Sequence, residues 1–432
     1  MNLPYIAALT PRHYDIEVID ENIEPFTYKD ADIVGITAYT SSVTRGYEIA
    51  RIYREKGIPT IMGGIHVSML PDEALEYCDA VVIGEAEGVW AKVLMDFEAG
   101  DLQPRYQGDW IDLYDLPSPR RDILRTDFYK WGSIQTSRGC PLNCSFCSVT
   151  AFNGKRFRRR SLDDIIEELS QIPQKFVLLT DDNIIGHNEE DKAWAKAFFT
   201  RIRKEGIKKY FFAQSSMQFG EDQELIKLAA RAGMKILFVG IESINPESLK
   251  SYNKSLNLKR LLKNQYFEHI SNIRKGGIAV LGAFLLGNDD DTIPSFDRTL
   301  EFIRTSHIDI IQVTKPTPLP GTTFWEQLAG EGRILKTNFP QDWEDYRLTK
   351  MVYKPAKMSI KDVYEGFTYL KKRYFSWPET VRRTLSTLFT TRDIATTIMA
   401  YKFNQSYRKA FVESEHFKIY NRPGFEKRFK SH

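Results

Sequence analysis

Apolar and polar positions along this chain follow two rhythms that alternate, pause and resume. In the first hundred residues, short apolar or β-branched runs at Tyr14–Ile19, Asp32–Thr37, Pro59–Met62 and Ala80–Ile83 read as strands. Between them, Val43–Lys56 and Glu73–Tyr77 carry apolar residues at helical spacing. This alternation predicts an N-terminal doubly wound (Rossmann-like) α/β domain over residues 1–106, with ligands at the C-terminal ends of its strands. A Pro-, Asp- and Arg-rich stretch over 107–132, including Leu116-Pro117-Ser118-Pro119-Arg120-Arg121, reads as a linker. The rhythm then returns over 133–333. Strand-like runs lie at Ser133–Thr136, Phe176–Thr180, Tyr210–Gln214, Lys235–Ile241, Ala279–Leu286 and Ile308–Val313. Helical patterns such as Leu162–Gln171, Glu189–Lys204, Asp222–Ala232 and Ser295–Thr305 separate them. Six such units predict a partial (β/α)6 barrel. Residues 334–432 read as a mostly helical C-terminal region. In it, Val381, Leu385, Leu388, Phe389, Ile394, Ile398 and Met399 fall in helical register, and a core-packing helix is favoured over one lying on a membrane.

Unusual residues gather just beyond the strand ends. Cys140–Cys147, Asp181-Asp182-Asn183, Gln214-Ser215-Ser216, Glu242-Ser243, Gly287-Asn288 and Pro318-Leu319-Pro320-Gly321-Thr322 each follow an expected strand. That edge is where barrel enzymes build their sites. Gly63-Gly64 and Gly84-Glu85 hold equivalent places in the first domain, where close approach to a ligand and a tight turn are equal readings.

Composition adds little until charge is divided along the chain. A hydrophobic fraction of 42% with 27% charged residues is ordinary for a globular protein, and no apolar run is long enough to span a bilayer. Met1–Thr10 lacks a basic leader and does not read as a signal peptide, so a cytoplasmic location is expected. The net charge of +3 conceals a C-terminal segment, Lys371–His432, with 14 Lys and Arg against 5 Asp and Glu. Interleaved with Trp377, Phe389, Tyr401, Phe403, Tyr407 and Phe417, it suits a peripheral membrane contact, an anionic substrate or nucleic acid, and equally a solvated helical surface.

Three of the four cysteines stand at C-x3-C-x2-C: Cys140, Cys144 and Cys147. Four thiolates would close a zinc or cluster site, whereas three can hold a [4Fe–4S] cluster and leave one iron open. Zinc is disfavoured because the nearest histidine is His187 and no second C-x2-C pair exists. A disulfide framework is disfavoured because three close cysteines cannot all pair. Cys78 reads as a small buried residue.

The triad with Phe146 before its last cysteine resembles the signature of the radical S-adenosylmethionine (SAM) enzymes. The resemblance implies that the open iron chelates SAM, and that reductive cleavage yields methionine and a 5′-deoxyadenosyl radical. It implies Asp181, Asp182 and Asn183 as partners of SAM, against an N-cap or Asx turn. It further implies SAM contacts for Gln214, Ser216, Glu242, Ser243 and Gly287, with Arg158 and Arg160 holding the SAM carboxylate or an anionic substrate. The first domain is similar to the cobalamin-binding domain that precedes many such enzymes. Asp32-Ile33-Val34-Gly35-Ile36-Thr37, Gly63-Gly64-Ile65-His66 and Gly84-Glu85-Ala86-Glu87 carry that likeness and imply cobalamin contacts at Thr37, Gly63, Gly64, His66, Gly84 and Glu85. The chain departs from it twice. Its first strand is missing from the pattern, and no D-x-H-x-x-G motif supplies a cobalt ligand, leaving His66 as a conceivable substitute or a structural residue. Trp343-Glu344-Asp345-Tyr346 and Tyr353-Lys354-Pro355 resemble the C-terminal extension of cobalamin-linked members, including hopanoid-modifying ones.

The expectation is a radical SAM enzyme with a [4Fe–4S] cluster, SAM and cobalamin, modifying a carbon centre of a small-molecule or lipid-like substrate by C-methylation. An electron donor such as flavodoxin or ferredoxin would serve it. A rearrangement or cyclisation enzyme with a vestigial cobalamin domain is the first alternative. A nucleic-acid-binding protein using the basic tail is the less favoured one.

Overall fold

The computed structural model describes residues 2–414, 419–420 and 428–429. The chain divides into two compact units. Unit 1 comprises Met1–Pro141, Phe146–Gln174 and Pro318–Val352; unit 2 comprises Leu142–Ser145, Lys175–Thr317 and Tyr353–His432.

Unit 1 opens on helix α1 (Asn2–Leu9), followed by strands β1 (Val34–Thr37), β2 (Thr60–Gly63), β3 (Ala80–Gly84) and β4 (Arg105–Gly108). The four are parallel and lie in chain order, with Thr37 opposite Gly63 and Gly84 opposite Gly108. Helices α2 (Val43–Arg54), α3 (Ile65–Met69), α4 (Pro71–Leu75) and α5 (Trp90–Glu98) connect them. Successive strand residues point to opposite faces, and each face has its own core. Met62 and Val81 pack with Tyr47, Val67 and Trp343, while Ile61 and Val82 pack with Val93 and Tyr106. Burial on both faces is what a parallel sheet requires.

Two local expectations fail here. Tyr14–Ile19 is irregular, and none of its residues is buried, so its alternation had no apolar face to cover. Strand β4 went unrecognised because Tyr106 is its only large apolar residue.

The remaining elements of unit 1 frame the cysteines. Strand β5 (Trp131–Ile134) leads to β6 (Ser137–Arg138); helix α6 (Ser148–Asn153), strand β7 (Arg158–Arg159) and helix α7 (Leu162–Gln171) follow the cysteine loop. Strands β6 and β7 pair antiparallel, Ser137 opposite Arg159.

In unit 2, β8 (Phe176–Leu179), β9 (Tyr210–Ser215), β10 (Met234–Glu242), β11 (Ala279–Leu285) and β12 (Ile310–Thr314) run parallel in the order β12-β11-β10-β9-β8. Helices α8 (Glu189–Lys204), α9 (Gln223–Ala232), α10 (Pro246–Ser251), α11 (Ser255–Leu262), α12 (Tyr266–Lys275) and α13 (Ile293–Thr305) alternate with them. Every residue of β11 is buried, as befits a central parallel strand. Helix α14 (Thr323–Gly330) belongs to unit 1. Helices α15 (Ile360–Tyr374), α16 (Trp377–Thr391) and α17 (Ile394–Glu413) complete unit 2.

The single core-packing helix expected near Thr380–Phe403 is instead two helices. Arg392 takes a left-handed conformation at φ 53°, and Asp393 caps α17 by accepting the Thr396 N–H at 2.8 Å. Val381, Leu385, Phe389, Ile394 and Ile398 are exposed and Met399 is buried; the buried face of α16 is polar, and that of α17 mixes Thr396, Thr397 and Asn404 with Met399, Ala400 and Phe411. Those faces satisfy polar groups at the N-terminal ends of the strands. Thr387 Oγ1 donates to Asp309 at 2.7 Å, and Thr396 Oγ1 donates to the Gly277 carbonyl at 3.0 Å. Of the basic tail, residues 415–418, 421–427 and 430–432 lie outside the described residues.

Candidate active site

The cysteine loop is held beside its first cysteine and at its centre. In unit 1, Gly139 has φ 86°, and a Cβ there would collide with the Arg156 carbonyl, so only glycine fits this turn beside Cys140. In unit 2, the centre is pinned to the end of α10. The Ser145 N–H donates to the Tyr252 carbonyl at 3.1 Å, and Asn253 Nδ2 donates to the Asn143 carbonyl at 2.7 Å. Cys140, Cys144 and Cys147 form no disulfide and are partly exposed, with half-buried Phe146 between the last two. Cys78 is buried, and burial pushes its thiol up to about 12, so it stays protonated and inert. Three accessible thiols on one hairpin are the donor set a three-ligand cluster needs. Among the described residues no three His, Cys, Asp or Glu groups gather as ligands of one metal ion. In a cluster each thiolate takes a different iron, so its ligands stand further apart.

Unit 1 contains the residues expected to meet cobalamin. Gly64 has φ 100°, and a Cβ would lie 2.8 Å from Thr37 Oγ1 and 3.0 Å from the Ala38 carbonyl, so the ends of β1 and β2 close tightly. Gly84 is likewise left-handed, and its Cβ would press on the Gly108 carbonyl. Thr37 is exposed, and Gly63 and Gly64 partly so, which leaves a hydroxyl and backbone available at the strand ends.

Four side chains expected to bind cofactors have other work. His66 is buried, its Nε2 is 3.3 Å from Glu73 Oε1, and its ring meets Trp343 edge-on at 5.1 Å. Burial alone would raise Glu73, but bonds from His66, Trp343 and Tyr47 hold its carboxyl below the usual range. The enclosure gives His66 a structural role, with Nε2 on Glu73 and a buried Nδ1 that has no hydrogen-bond partner among the described residues. Glu85 is buried between Arg158, at 2.5 Å, and Arg138, at 3.4 Å, and accepts the Ile111 N–H at 3.0 Å. Those contacts outweigh burial and hold its carboxyl low. Arg158 is therefore charge-paired with Glu85. Arg160 is fully buried, 2.5 Å from Glu168 and donating to the Gln135 carbonyl at 2.9 Å. The Glu85 ion pairs tie the end of β3 to the β6–β7 hairpin that frames the cysteine loop.

Unit 2 gathers the residues expected to meet SAM at one strand edge. Asn183 Oδ1 accepts the Ser216 N–H at 3.2 Å and the Ser215 hydroxyl at 3.4 Å, so the turns after β8 and β9 are locked together. Asp181 is buried beside it, Asp182 is half-buried, and the Gln214 carbonyl accepts the Ile184 N–H at 3.0 Å. Strand β10 bulges between Gly240 and Glu242, and Glu242 takes φ 65°. The carboxylate is buried and pairs with Lys254 at 2.8 Å. Ser243 Oγ accepts the Asn245 N–H at 3.0 Å. Gly287, at φ 96°, donates its N–H to Asp291 Oδ2 at 2.9 Å.

Three residues at this edge escaped the sequence. Lys254 has no motif, and only the fold reveals its pairing with Glu242. Asp291 ends the acidic run Asp289-Asp290-Asp291; burial pushes its carboxyl up to about 6. Lys315 directly follows β12 and lies over the Phe367 ring at 4.1 Å. Burial, and secondarily Lys371, press its ammonium well below the usual range. Its position one residue past a strand end was the available signal.

Comparison with known proteins accords with this arrangement. The Radical SAM superfamily pattern matches residues 134–303, and the B12 binding domain pattern matches residues 2–94. The bacteriochlorophyllide d C-8(2)-methyltransferase of Chlorobaculum tepidum is 31% identical over 447 residues, covering 95% of this chain and 93% of its own. The hopanoid C-2 methylase of Rhodopseudomonas palustris is 26% identical, covering 79% and 66%. Among solved structures, the cobalamin-dependent SAM radical enzyme OxsB with aqua-cobalamin bound shares the fold at a TM-score of 0.65 and 15% identity. That match covers 88% of this chain and just under two thirds, 63%, of OxsB. The chain belongs to the cobalamin-binding radical SAM enzymes, whose cofactors are a [4Fe–4S] cluster, SAM and cobalamin.

Proposed function

We propose that this protein is a cobalamin-dependent methyltransferase that methylates a carbon centre of a largely apolar small molecule. The observation that carries the reading is coverage: likeness to a methyltransferase spans 95% of this chain, taking in both the B12-type sheet and the cysteine-loop domain. It favours methyl transfer over rearrangement with a vestigial front domain and over nucleic-acid binding. The relatives' names, bacteriochlorophyllide and hopanoid, support a hydrophobic carbon skeleton as the substrate class.

When bound, the cluster and SAM supply a carbon radical that removes a hydrogen atom, and cobalamin supplies the methyl group. Cys140, Cys144 and Cys147 hold the cluster, with Phe146 shielding it. Asp181, Asp182, Asn183, Gln214, Ser216, Glu242, Ser243 and Gly287 form the SAM edge. Thr37, Gly63, Gly64 and Gly84 receive cobalamin through a hydroxyl and backbone, with no histidine from the β2–α3 turn. Glu85, Arg138 and Arg158 fix the cysteine-loop frame to the cobalamin sheet. An external one-electron donor, such as flavodoxin or ferredoxin, and a membrane surface are the remaining partners of this reading.

The test is anoxic incubation of reconstituted enzyme with methyl-deuterated SAM, dithionite and fractionated lipid extracts, read by mass spectrometry. A product heavier by one labelled methyl group, together with 5′-deoxyadenosine, is expected. Cys144→Ala should abolish both along with the iron–sulfur absorbance. Release of 5′-deoxyadenosine with no labelled product and no cobalamin retained would overturn methyl transfer.

A further inference from the structure

Helices α16 and α17 form a hairpin that carries large apolar side chains on its outer side. The side turned to the protein is polar along α16 and mixes polar groups with Met399, Ala400 and Phe411 along α17: Arg383 Nη1 donates to the Tyr374 carbonyl at 2.7 Å, and Asn404 Nδ2 donates to the Asp309 carbonyl at 2.9 Å. The opposite side is apolar and open. Trp377 is 66% exposed, Phe389 74% and Ile394 69%, with Leu385, Ile398 and Tyr401 also exposed. Trp377, Leu385 and Phe389 recur at multiples of four, and Ile394, Ile398 and Tyr401 at steps of four and three, so each set is one helical stripe. Scattered exposed hydrophobes are normal on a protein surface, but two ordered stripes on neighbouring helices mark an interaction face.

Charge decides what covers it. Arg392 in the turn and Lys402 and Arg408 along α17 are exposed, and among the described residues none has an acidic partner. We propose that this hairpin docks the enzyme on the surface of an anionic phospholipid bilayer. Apolar stripes flanked by Lys and Arg, with a tryptophan at one end, have the composition of an interfacial helix. Anionic headgroups would neutralise the three cations, whereas a second copy of the chain would bring like charges together around the same patch. No helix among the described residues is long and apolar enough to cross a membrane, so the contact is peripheral. The hairpin covers the N-terminal ends of β10 to β12, the sheet edge opposite the one that holds Glu242 and Gly287.

The surface goes beyond the methyl-transfer reading and is tested separately from it. Anoxic, reconstituted full-length enzyme is floated with mixed phosphatidylglycerol–phosphatidylcholine vesicles and with pure phosphatidylcholine vesicles. Binding to the mixed vesicles is expected, weakening as salt rises. Arg392→Gln/Lys402→Gln/Arg408→Gln should lower vesicle affinity about a hundredfold, at about fivefold per lost cation. Phe389→Ser/Ile394→Ser should lower it at least tenfold, and Phe389→Leu should retain it. Release of 5′-deoxyadenosine should be unchanged in all three, since none of these residues lies at the site. Absence of flotation, or equal flotation of every variant, would overturn the proposal. So would a dimer in sedimentation velocity that Phe389→Ser/Ile394→Ser dissociates, because the face would then belong to a second copy.

Discussion

Two buried aspartates stand at opposite ends of the same parallel sheet and are treated differently. Asp309, just before β12, has both oxygens filled: Arg274 Nε at 3.1 Å and Nη2 at 3.0 Å, Thr387 Oγ1 at 2.7 Å and the Val280 N–H at 2.9 Å. Asp291, beyond the C-terminal end of β11, accepts the Gly287 and Asn288 N–H groups on Oδ2, while its buried Oδ1 has no partner. Both carboxyls are buried. What separates them is whether the protein itself fills the polar atoms, since a group left partly unsatisfied costs stability. Asp309 closes the fold at the N-terminal end, and Asp291 keeps one acceptor in reserve at the C-terminal end, on the Gly287 turn.

Asp309→Ala breaks the closed end and should have the largest effect on stability. It leaves the Arg274 guanidinium buried without its carboxylate, which typically costs about 3–5 kcal/mol. Urea unfolding measures the loss, and SAM binding by the folded fraction should be unchanged. A loss under about 1 kcal/mol would mean that water replaces the carboxylate and that the two ends do not differ.

Asp291→Asn should act in the opposite direction. Burial raises this carboxyl from 3.8 to about 6, so the folded chain holds the proton more tightly than the unfolded chain. Its contribution to stability therefore falls as pH rises from about 4 to about 6 and stays low above that. A rise of that size corresponds to about 3 kcal/mol. An asparagine can keep Oδ1 toward the Gly287 and Asn288 N–H groups without carrying a charge. A gain of about 2–3 kcal/mol at neutral pH is expected, with the slope between pH 4 and 6 abolished. Parallel pH profiles for the two proteins would refute the assignment of that strain to Asp291.

The sheet itself was legible in the sequence because its strands are continuous apolar runs. Tyr210–Gln214 and Ala279–Leu286 match β9 and β11 to within one residue. The cysteine loop was legible from spacing alone. Partners were not. Arg158 and Arg160 looked available because Glu85 lies 73 residues away and Glu168 becomes a neighbour only once α7 forms. His66 likewise owes its enclosure to Trp343, which reaches it from the other end of the chain. Periodicity showed that the α16–α17 segment has two faces, but not which one turns inward. That choice follows from Asp309 and the Gly277 carbonyl, whose polar demand draws in Thr387 and Thr396.

The smallest perturbation asks whether Glu242 belongs to the open end by function or only by position. A methyl group on Gly240 would sit 2.6 Å from Glu242 Oε1 and 3.3 Å from Lys254 Nζ. Both atoms are the ends of flexible side chains, so Gly240→Ala should shift the ion pair and leave the strand in place. Overpacking of this kind costs about 1–2 kcal/mol. If Glu242 holds a polar group of SAM, the displaced carboxylate loses a charge-assisted bond, and Kd for SAM should rise about tenfold. A variant whose midpoint falls while its SAM affinity stays put would make Glu242 merely the neutraliser of Lys254. The bulge in β10 would then need another explanation than catalysis, because a left-handed glutamate at a strand end is costly to keep for an ion pair that a regular strand could also make.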